Sequence, residues 1–205
     1  MSKTFTHSSV SLDGFAAAPG QSLDNPFGEG GMRLAEWMFS GPDHSSSPDQ
    51  SAVAEITAGA GAFIMGRHMF GPGRGPWDET WKGWWGDDPP YHAPVFVLTS
   101  HPRDPLPMDG GTTFTFVTEG PEAAYQLATA AAGDKDISIA GGAATVRQYL
   151  RLRLIDELNL HIVPLTLGAG ERLLDEVGDL TFEPVRVTSS PAVVHLKLRV
   201  GHRSE

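Results

Sequence analysis

The feature that most restricts the fold is a short apolar segment, 137–140, which runs through Gly141 and Gly142 into a helical pattern at 143–152. A run this short, bounded by glycines, is typical of a buried strand, and the paired glycines indicate a tight connection to the helix. Strand and helix patterns alternate in this way as far as residue 164. The sequence therefore predicts an α/β domain with a mostly parallel sheet.

The remaining elements follow from the same periodicities. Strands are expected at 6–15, 62–65, 93–98, 113–117, 137–140, 158–164, 182–188 and 193–200, and helices at 32–39, 51–60, 121–132 and 143–152. The last two strands form a C-terminal antiparallel hairpin. Apolar and charged residues alternate along 193–200, which predicts that one face of that strand is solvated. Loops are expected at 16–31 and 41–51.

Length and charge restrict the class of partner. The chain has 205 residues, which fits one domain, 1–205. Its 25 acidic and 15 basic residues give a formal charge of −10, which argues against nucleic acid or an anionic membrane but leaves room for a local basic pocket. No apolar run approaches the ~18 residues of a membrane helix, and the N-terminus has no signal-peptide pattern. A cytoplasmic protein is expected.

Several chemistries have no support in the sequence. The chain has no cysteine, which excludes disulfides, zinc thiolate sites and a cysteine nucleophile. It has no G-x-S-x-G elbow, and its eight histidines show no H-E-x-x-H spacing, so no metal ligand set is expected. His161 and His195 lie in predicted strands and are interpreted as structural. Neither the G-x-G-x-x-G nor the P-loop pattern occurs.

Three segments that follow strands carry residues suited to anions. Gly141 and Gly142 either admit a pyrophosphate to the helix start or merely form a tight turn. Arg67, directly after the strand 62–65, either grips a phosphate or lies on the surface. In the segment 97–103, hydroxyls, a histidine and an arginine together form a possible anion pocket. Two such sites at neighbouring strand ends favour a phosphate-bearing cofactor.

The ordered set of motifs resembles the dihydrofolate reductase-like superfamily, nearest to the reductase domain of bacterial riboflavin biosynthesis and its stand-alone relatives. The motifs that carry the resemblance are Ser11-Leu12-Asp13-Gly14, Met65-Gly66-Arg67, Leu98-Thr99-Ser100, Ala140-Gly141-Gly142, Leu154-Ile155-Asp156-Glu157-Leu158 and Pro164-Leu165-Thr166-Leu167-Gly168-Ala169-Gly170. The resemblance covers nearly the whole chain and implies a three-layer fold with helices on both faces of the sheet.

The resemblance also implies an NADPH-dependent reductase and places its cofactor. By this resemblance, Gly66, Arg67 and His68 would lie on the adenosine phosphate side. The 2′-phosphate would meet Leu98, Thr99 and Ser100, with His101 or Arg103 as a further contact. The pyrophosphate would be received by Gly141, Gly142, Ala143 and Ala144, with Thr145 next in the helix. Ser11, Ala16 and Ala17 would flank the nicotinamide. The family transfers hydride to a C=N or C=O carbon of a pterin-like or pyrimidine-like heterocycle.

The proton donor is the point at which the chain departs from the family. Folate reductases place a carboxylate on the first helix, and here that helix offers Glu36, which as a buried acid would have a raised pKa. The alternative for Glu36 is a solvated surface acid. Asp13 is the other candidate, although a residue before Gly14 is more often part of a turn.

The insert 71–92 contains four of the five tryptophans and is a second departure. It is expected to be an apolar lid over the substrate or a surface of a homodimer. Substrate contacts are assigned to a set of apolar residues: Trp37, Trp81, Trp85, Pro164 and Leu167. A non-catalytic binding protein on the same fold and a flavin-using oxidoreductase are the alternative functions.

Overall fold

The computed structural model describes residues 2–39 and 47–202. The strands are β1 (Thr4–Ser11), β2 (Phe15–Ala17), β3 (Ala60–Gly66), β4 (Pro94–Leu98), β5 (Leu106–Pro107), β6 (Thr113–Val117), β7 (Asp136–Gly141), β8 (Glu157–Val163), β9 (Glu171–Arg172), β10 (Leu180–Ser189) and β11 (Val194–His202). The α-helices are α1 (Glu36–Phe39), α2 (Pro48–Glu55), α3 (Arg67–Phe70), α4 (Pro121–Ala132) and α5 (Ala143–Arg151), and 3-10 turns lie at Gly31–Leu34 and Asp109–Gly111. Most of the predicted loop 41–51 lies outside the described residues.

Nine of the described strands form one sheet in the order β10-β11-β8-β1-β7-β3-β4-β6-β5. The six central strands are mutually parallel, while β11 and β10 close one edge as an antiparallel hairpin. The α/β class, the parallel sheet and the terminal hairpin are therefore confirmed. The short strand β5, antiparallel to β6 at the other edge, was not predicted from the sequence.

Local sequence signals explain most element ends. Pro121 opens α4, Ala124, Ala128 and Ala132 lie buried one turn apart, and Gly133 with φ of 60° ends the helix. These bounds match the prediction. By contrast, α2 begins at Pro48 rather than 51, because the Ser47 side chain accepts a hydrogen bond from the Gln50 amide at 3.2 Å and caps the helix.

Two predicted elements are interrupted. The strand expected at 6–15 ends at Ser11, because Gly14 adopts φ of 85° and its amide donates to the Ser11 carbonyl at 2.9 Å, which forms a turn before β2. The helix expected at 32–39 is a 3-10 turn followed by α1. The change of phase between them turns Leu34 and Trp37 inward.

The two faces of the sheet are covered differently. Helices α4 and α5 bury the largest core cluster against one face, on which Ala62 and Ile64 of β3 lie. Because side chains alternate along a strand, Phe63 and Met65 point to the opposite face. That face is covered by α1, α2 and the insert 71–92, so the fold has three layers, as expected.

We divide the second face into two halves. The tryptophan half is Trp77, Trp81 and Trp85 with Phe70 and Tyr91, packed over β3, β4 and β6. The histidine half is His7, His161, His195 and Trp37, which lie over β1, β8 and β11 beneath α1 and α2. His195 is only 6% exposed, so the prediction of a solvated face is wrong at this position of β11.

Candidate functional site

The three predicted anion motifs meet at the carboxyl ends of the central strands, which form one edge of the sheet. Met65 of β3 pairs with Gly141 of β7, and Gly66 pairs with Leu98 of β4. The parallel register thus brings the carboxyl ends of these strands side by side, where ligands of open α/β sheets bind. Tertiary structure thereby assembles segments that lie far apart in the sequence.

The connection from β7 to α5 is open to a ligand. Gly141 has φ of 124°, a backbone conformation that favours glycine, and a Cβ built on Gly142 would meet nothing within 4 Å. Ala144 is exposed and Ala143 half-buried beside it. Because α5 begins here, the partial positive charge of its N-terminus faces this open space. The buried Thr145 instead packs against Gly66, where a larger residue would collide with its hydroxyl.

Arg67 lies between the ends of β3 and β4. Its Nε donates to the Gly73 carbonyl at 2.9 Å and its Nη1 to the Thr99 hydroxyl at 3.5 Å. The guanidinium also stacks 3.7 Å from the centre of the Trp77 ring. Partial burial lowers the pKa of Arg67, which still remains charged at neutral pH. A cation is thus held at the strand ends by the insert.

Arg103 is the second cation of this region. Its side chain is 4% exposed, and its Nε lies 3.2 Å from Glu79 Oε2. Its Nη1 is buried and has no hydrogen-bond partner within the described part of the chain. An unsatisfied, buried guanidinium N–H is costly, so a bound water or an acceptor atom of a ligand at this position would stabilise it.

Trp77 connects the two cations. The Arg103 guanidinium lies 5.5 Å from the Trp77 ring centre, and the Trp77 Nε1 donates to the His101 carbonyl at 2.7 Å. The Thr99 hydroxyl accepts from the His101 amide at 3.1 Å and so shapes the turn that follows β4. Ser100 is exposed next to it, and His68 is exposed after Arg67. Partial burial, followed by the positive charges of Arg74 and Arg67, lowers the pKa of His68.

The end of β1 is a tightly bonded turn. The buried Ser11 hydroxyl accepts from the Phe15 amide at 3.0 Å. The Asp13 carboxylate accepts from the amides of Leu167 at 3.1 Å and Gly168 at 2.7 Å. The hydrogen bond with Ser11, followed by these amides, lowers the pKa of Asp13 to about 2. Asp13 therefore fastens two loops and is poorly suited to donate a proton.

The other carboxylate candidate also fails its premise. Glu36 is the first residue of α1 and is exposed, whereas the prediction required a buried acid. The neighbouring Trp37 occupies the inward direction instead and is 3% exposed. Neighbouring residues of a helix point about 100° apart, so only one of the two can face the sheet.

The five predicted substrate contacts are not brought together. Trp81 and Trp85 pack in the tryptophan half, where Trp81 Nε1 donates to the Phe70 carbonyl at 3.0 Å. Trp37 belongs to a different core cluster, with half-buried Leu167 at its margin, and Pro164 is exposed. Ala17 is buried and Ala16 half-buried in β2. The insert is thus largely committed to covering β3, β4 and β6.

Sequence reasoning missed a cavity in the histidine half. It has a volume of about 280 Å³ and lies between α2 and strands β1, β8, β10 and β11. Its charged lining residues are Glu55, Arg186 and Lys197, and the three histidines complete its polar wall. The register of β1 against β8, which pairs Ser9 with His161, could have revealed the clustering, but sequence periodicity alone does not give that register.

Comparison with solved structures identifies the class of fold. A proposed riboflavin biosynthesis protein from Shewanella sp. PV-4 superimposes with a TM-score of 0.65 at 20% identity, covering 98% of this chain and 99% of the other. A pyrimidine reductase-like protein from Corynebacterium diphtheriae gives 0.60 at 16%, with 98% and 93% covered. Dihydrofolate reductase from Enterococcus faecalis, complexed with NADP(H), gives 0.55 at 12%, with 98% and 97% covered. The fold is dihydrofolate reductase-like.

The family is given by a sequence profile. Residues 3–196 match the RibD C-terminal domain, so the chain belongs to that family. The resemblance predicted from the ordered motifs is confirmed. No curated protein matches the chain significantly.

Within 2–39 and 47–202, no group of three or more histidine, aspartate or glutamate side chains is arranged to hold a metal ion. In the same ranges, no helix has the length and apolar character needed to cross a membrane.

Proposed function

We propose that the protein is an NADPH-dependent reductase that acts on a C=N or C=O bond of a small heterocycle. The observation that carries the proposal is the buried Arg103 with its unpartnered Nη1, beside Arg67 and the hydroxyl-bearing turn after β4. A 2′-phosphate would supply the acceptor that this guanidinium lacks. Family membership and a structural neighbour complexed with NADP(H) support the same cofactor.

The residues present fit the rest of that cofactor. The open backbone at Gly142 and the start of α5 suit a pyrophosphate, because backbone can approach closely there. The buried turn at Ser11 and the strand β2 would border the nicotinamide, which supplies a hydride when bound. The protein contributes orientation and exclusion of water from this edge.

Binding to NADPH and NADH tests the proposal directly. We expect Arg67→Ala and Arg103→Met to weaken NADPH binding by about 10- to 100-fold, since each removes a charged hydrogen bond worth roughly 1.5–3 kcal/mol. NADH binding should change little. Fluorescence titration measures both, with Arg151→Gln, at the exposed far end of α5, as the charge-matched control.

Two results would contradict the proposal. If neither nucleotide binds the wild-type protein at millimolar concentration, the reductase assignment is wrong. If both arginine variants weaken NADPH and NADH equally, the 2′-phosphate is not their partner. Binding of NADPH without turnover of any heterocycle would instead favour a non-catalytic binding protein.

We also propose that the protein forms a homodimer and resides in the cytoplasm. Edge strand β10 exposes Val185 and Val187, at 48% and 59%, which gives an apolar surface at one end of the sheet. Light scattering after size-exclusion chromatography measures the mass. A single species near 21.9 kDa would exclude a stable dimer.

A further inference from the structure

A hydrogen-bonded chain of histidines lines the cavity of the histidine half. His7 Nδ1 lies 3.1 Å from His161 Nε2, and His161 Nδ1 lies 2.8 Å from His195 Nδ1. His195 Nε2 then meets Asp49 Oδ1 of α2 at 3.0 Å. His161 and His195 are only 3% and 6% exposed, so the cavity has a built polar wall rather than a solvated rim.

The cavity is separate from the edge proposed for the cofactor. His7 lies four residues before Ser11 in β1, which is about 13 Å along a strand. Trp37 packs between them, since its Nε1 donates to the Ser9 hydroxyl at 3.0 Å and its ring centre lies 4.7 Å from that of His161. Within the described part of the chain, none of the lining residues belongs to the strand ends proposed for NADPH. A molecule in the cavity would therefore not reach the nicotinamide.

The charges around the cavity leave one positive charge in excess. Arg186 and Glu55 both line it and form an ion pair with each other, so their charges balance. Lys197, the third charged lining residue, shares the Glu157 carboxylate with Lys3, at 2.9 and 2.7 Å. Two ammonium groups thus face one carboxylate, and the surplus attracts an anion even though the whole chain carries a formal charge of −10.

Asp49 lies behind the histidines and fixes the direction of their chain. It does not line the cavity, and the Ser190 hydroxyl donates to its second oxygen at 2.9 Å. Because a carboxylate only accepts, His195 Nε2 donates to Asp49. When the rings are neutral, His161 therefore donates to His195, and His7 Nδ1 in turn donates to His161. Nε2 is the nitrogen of His7 that this chain does not use.

Burial disfavours a proton on these rings. It is the largest cause that lowers the pKa of His7 to about 4 and that of His161 to about 3. Lys197 of β11 and Arg186 of β10 lower the pKa of His7 further, whereas Glu55 of α2 raises it through its charge and its backbone. The charge of a bound anion would act in the same direction as that of Glu55, so binding would favour the protonated ring.

We propose that the cavity is a second binding site, distinct from the cofactor edge, which takes a small organic carboxylate, and that His7 takes up one proton from solvent as the carboxylate binds. The protonated Nε2 of His7 and the ammonium group of Lys197 then donate to the carboxylate oxygens. No covalent bond changes, and the proton returns to solvent when the ligand leaves. This site would exist whether or not the protein reduces a heterocycle, since its lining residues are not those of the cofactor edge.

The rest of the wall indicates the class of acid. Ala52, Pro48 and Leu196 give it an apolar part, and the Thr188 hydroxyl and the buried Asn159 add polar groups. The volume of about 280 Å³ lies near the lower limit for small-molecule sites. A carboxylate with one aromatic ring fits both this volume and the single surplus charge, whereas inorganic phosphate would leave the apolar part of the wall uncovered.

Titration calorimetry with benzoate tests the proposal on the intact protein. Measurements at pH 6 and pH 7.5, each in two buffers of different ionisation enthalpy, give the affinity and the number of protons taken up. Benzamide, the neutral isostere, and inorganic phosphate are the comparison ligands. In parallel, ¹⁵N-histidine spectra locate the bound molecule through the ring nitrogens of His7 and His161.

Two variants change the groups that would hold the carboxylate, and each has a matched control. His7→Gln is compared with His92→Gln, and Lys197→Gln with Lys82→Gln, since both controls change exposed residues of the insert. Circular dichroism checks that each variant is folded. The wild-type proton count tests the proposal without any variant.

We expect the wild-type protein to bind benzoate up to about tenfold more tightly per unit fall in pH, with uptake of about one proton and a shift of the His7 Nε2 signal. His7→Gln should bind without proton uptake and lose the pH dependence, because its amide donates but does not titrate. Lys197→Gln should weaken binding about tenfold. Both controls should match wild type, benzamide should bind about tenfold more weakly than benzoate, and saturating benzoate should leave NADPH affinity unchanged.

Four outcomes would overturn the inference. If benzoate does not bind at millimolar concentration, or binds without moving the histidine signals, the cavity takes no carboxylate. Binding without proton uptake would remove the role of His7. Phosphate or benzamide that binds as tightly as benzoate would contradict the class of ligand. A loss of NADPH affinity at saturating benzoate would show that the two sites are not separate, whereas failure of NADPH to bind at all bears on the reductase function alone.

Discussion

The two halves of one sheet face bury very different side chains. In the tryptophan half, Trp77, Trp81 and Trp85 pack around Phe70 and Tyr91, and the indole N–H groups of the first two donate to backbone carbonyls. In the histidine half, the ionisable rings of His7, His161 and His195 cover the sheet instead of indoles, and a cavity remains between these rings and α2. The first half gains stability from aromatic burial, whereas the second places titratable groups in a poorly solvated site beside open space.

This contrast indicates that the two halves have different roles. The insert covers β3, β4 and β6, and through Trp77 it also fixes Arg67 and Arg103. The opposite half retains the features of a small-molecule site, namely a concave space with convergent polar groups and histidines of lowered pKa. If the two halves differ in this way, substitutions in each should affect stability and nucleotide affinity differently.

The largest effect is expected from Trp77→Ala. Removing a half-buried indole should cost about 2–3 kcal/mol of unfolding free energy, somewhat below the range for fully buried aromatic residues. NADPH affinity should fall about tenfold as well, because both arginines lose their stacking partner. Urea unfolding and nucleotide titration measure the two effects. Trp84→Ala, whose ring packs against the edge of Trp81, is the matched control and should leave NADPH affinity intact.

The second effect concerns acid and belongs to the histidine half. The pKa of His7 is about 4 in the folded protein, below the ordinary 6.5 of the unfolded chain. Between these two pH values, His7 binds a proton in the unfolded chain but not in the folded protein. The free energy of unfolding is therefore highest near pH 7 and falls towards pH 4. At pH 5 the loss caused by His7 is on the order of 2 kcal/mol.

The free energy of unfolding at pH 7 and pH 5 measures this loss. His7→Gln should lose less stability over the interval than wild type. The exposed His92→Gln should keep the wild-type pH dependence. Identical pH dependence in all three proteins would show that burial of His7 in the histidine half carries no energetic cost.

The smallest effect is expected from filling the cavity. Ala52 of α2 lines it, so Ala52→Leu should change the unfolding free energy by less than about 1 kcal/mol, because the new methyl groups enter open space. Val97 in the tryptophan half is fully buried, and Val97→Leu should cost about 1–3 kcal/mol through overpacking. Thermal or urea unfolding compares the pair. Equal losses would mean that both halves are packed alike.

Sequence patterns located most elements, and the errors have physical causes. The helix α4 and the strand β6 match their predicted bounds, since proline, glycine and apolar spacing act locally. The break in β1 depends on the turn at Gly14, and the direction of Glu36 depends on how a 3-10 turn and α1 join. Neither is fixed by spacing alone, so the sequence left Glu36 open as a buried or a solvated acid, and the structure exposes it and buries Trp37 instead.

In the candidate site, too, some residues were predictable from local sequence and others only from tertiary packing. Arg67, Thr99, Gly141 and Gly142 were predictable, because glycines and anion-binding residues follow buried strands in a recognisable order. Arg103 was a weaker prediction, and the proposal that it contacts a phosphate rests on a buried Nη1 that only packing can leave without a partner. His195 alternates with apolar residues as a solvated residue would, yet α2 covers it and brings Asp49 to its ring.

The amino-acid sequence by itself determined the alternation of strands and helices, the family and the strand ends that suit a phosphate-bearing cofactor, because these depend on local periodicity and on glycine. The tertiary structure decided which side chains became neighbours. One hydrogen-bonded chain joins His7, His161, His195 and Asp49, although the first and last of these positions, 7 and 195, are 188 residues apart in the sequence. Only the register of β1, β8 and β11 and the position of α2 bring them together. Long-range pairing of strands sets such contacts, and short sequence patterns do not encode it.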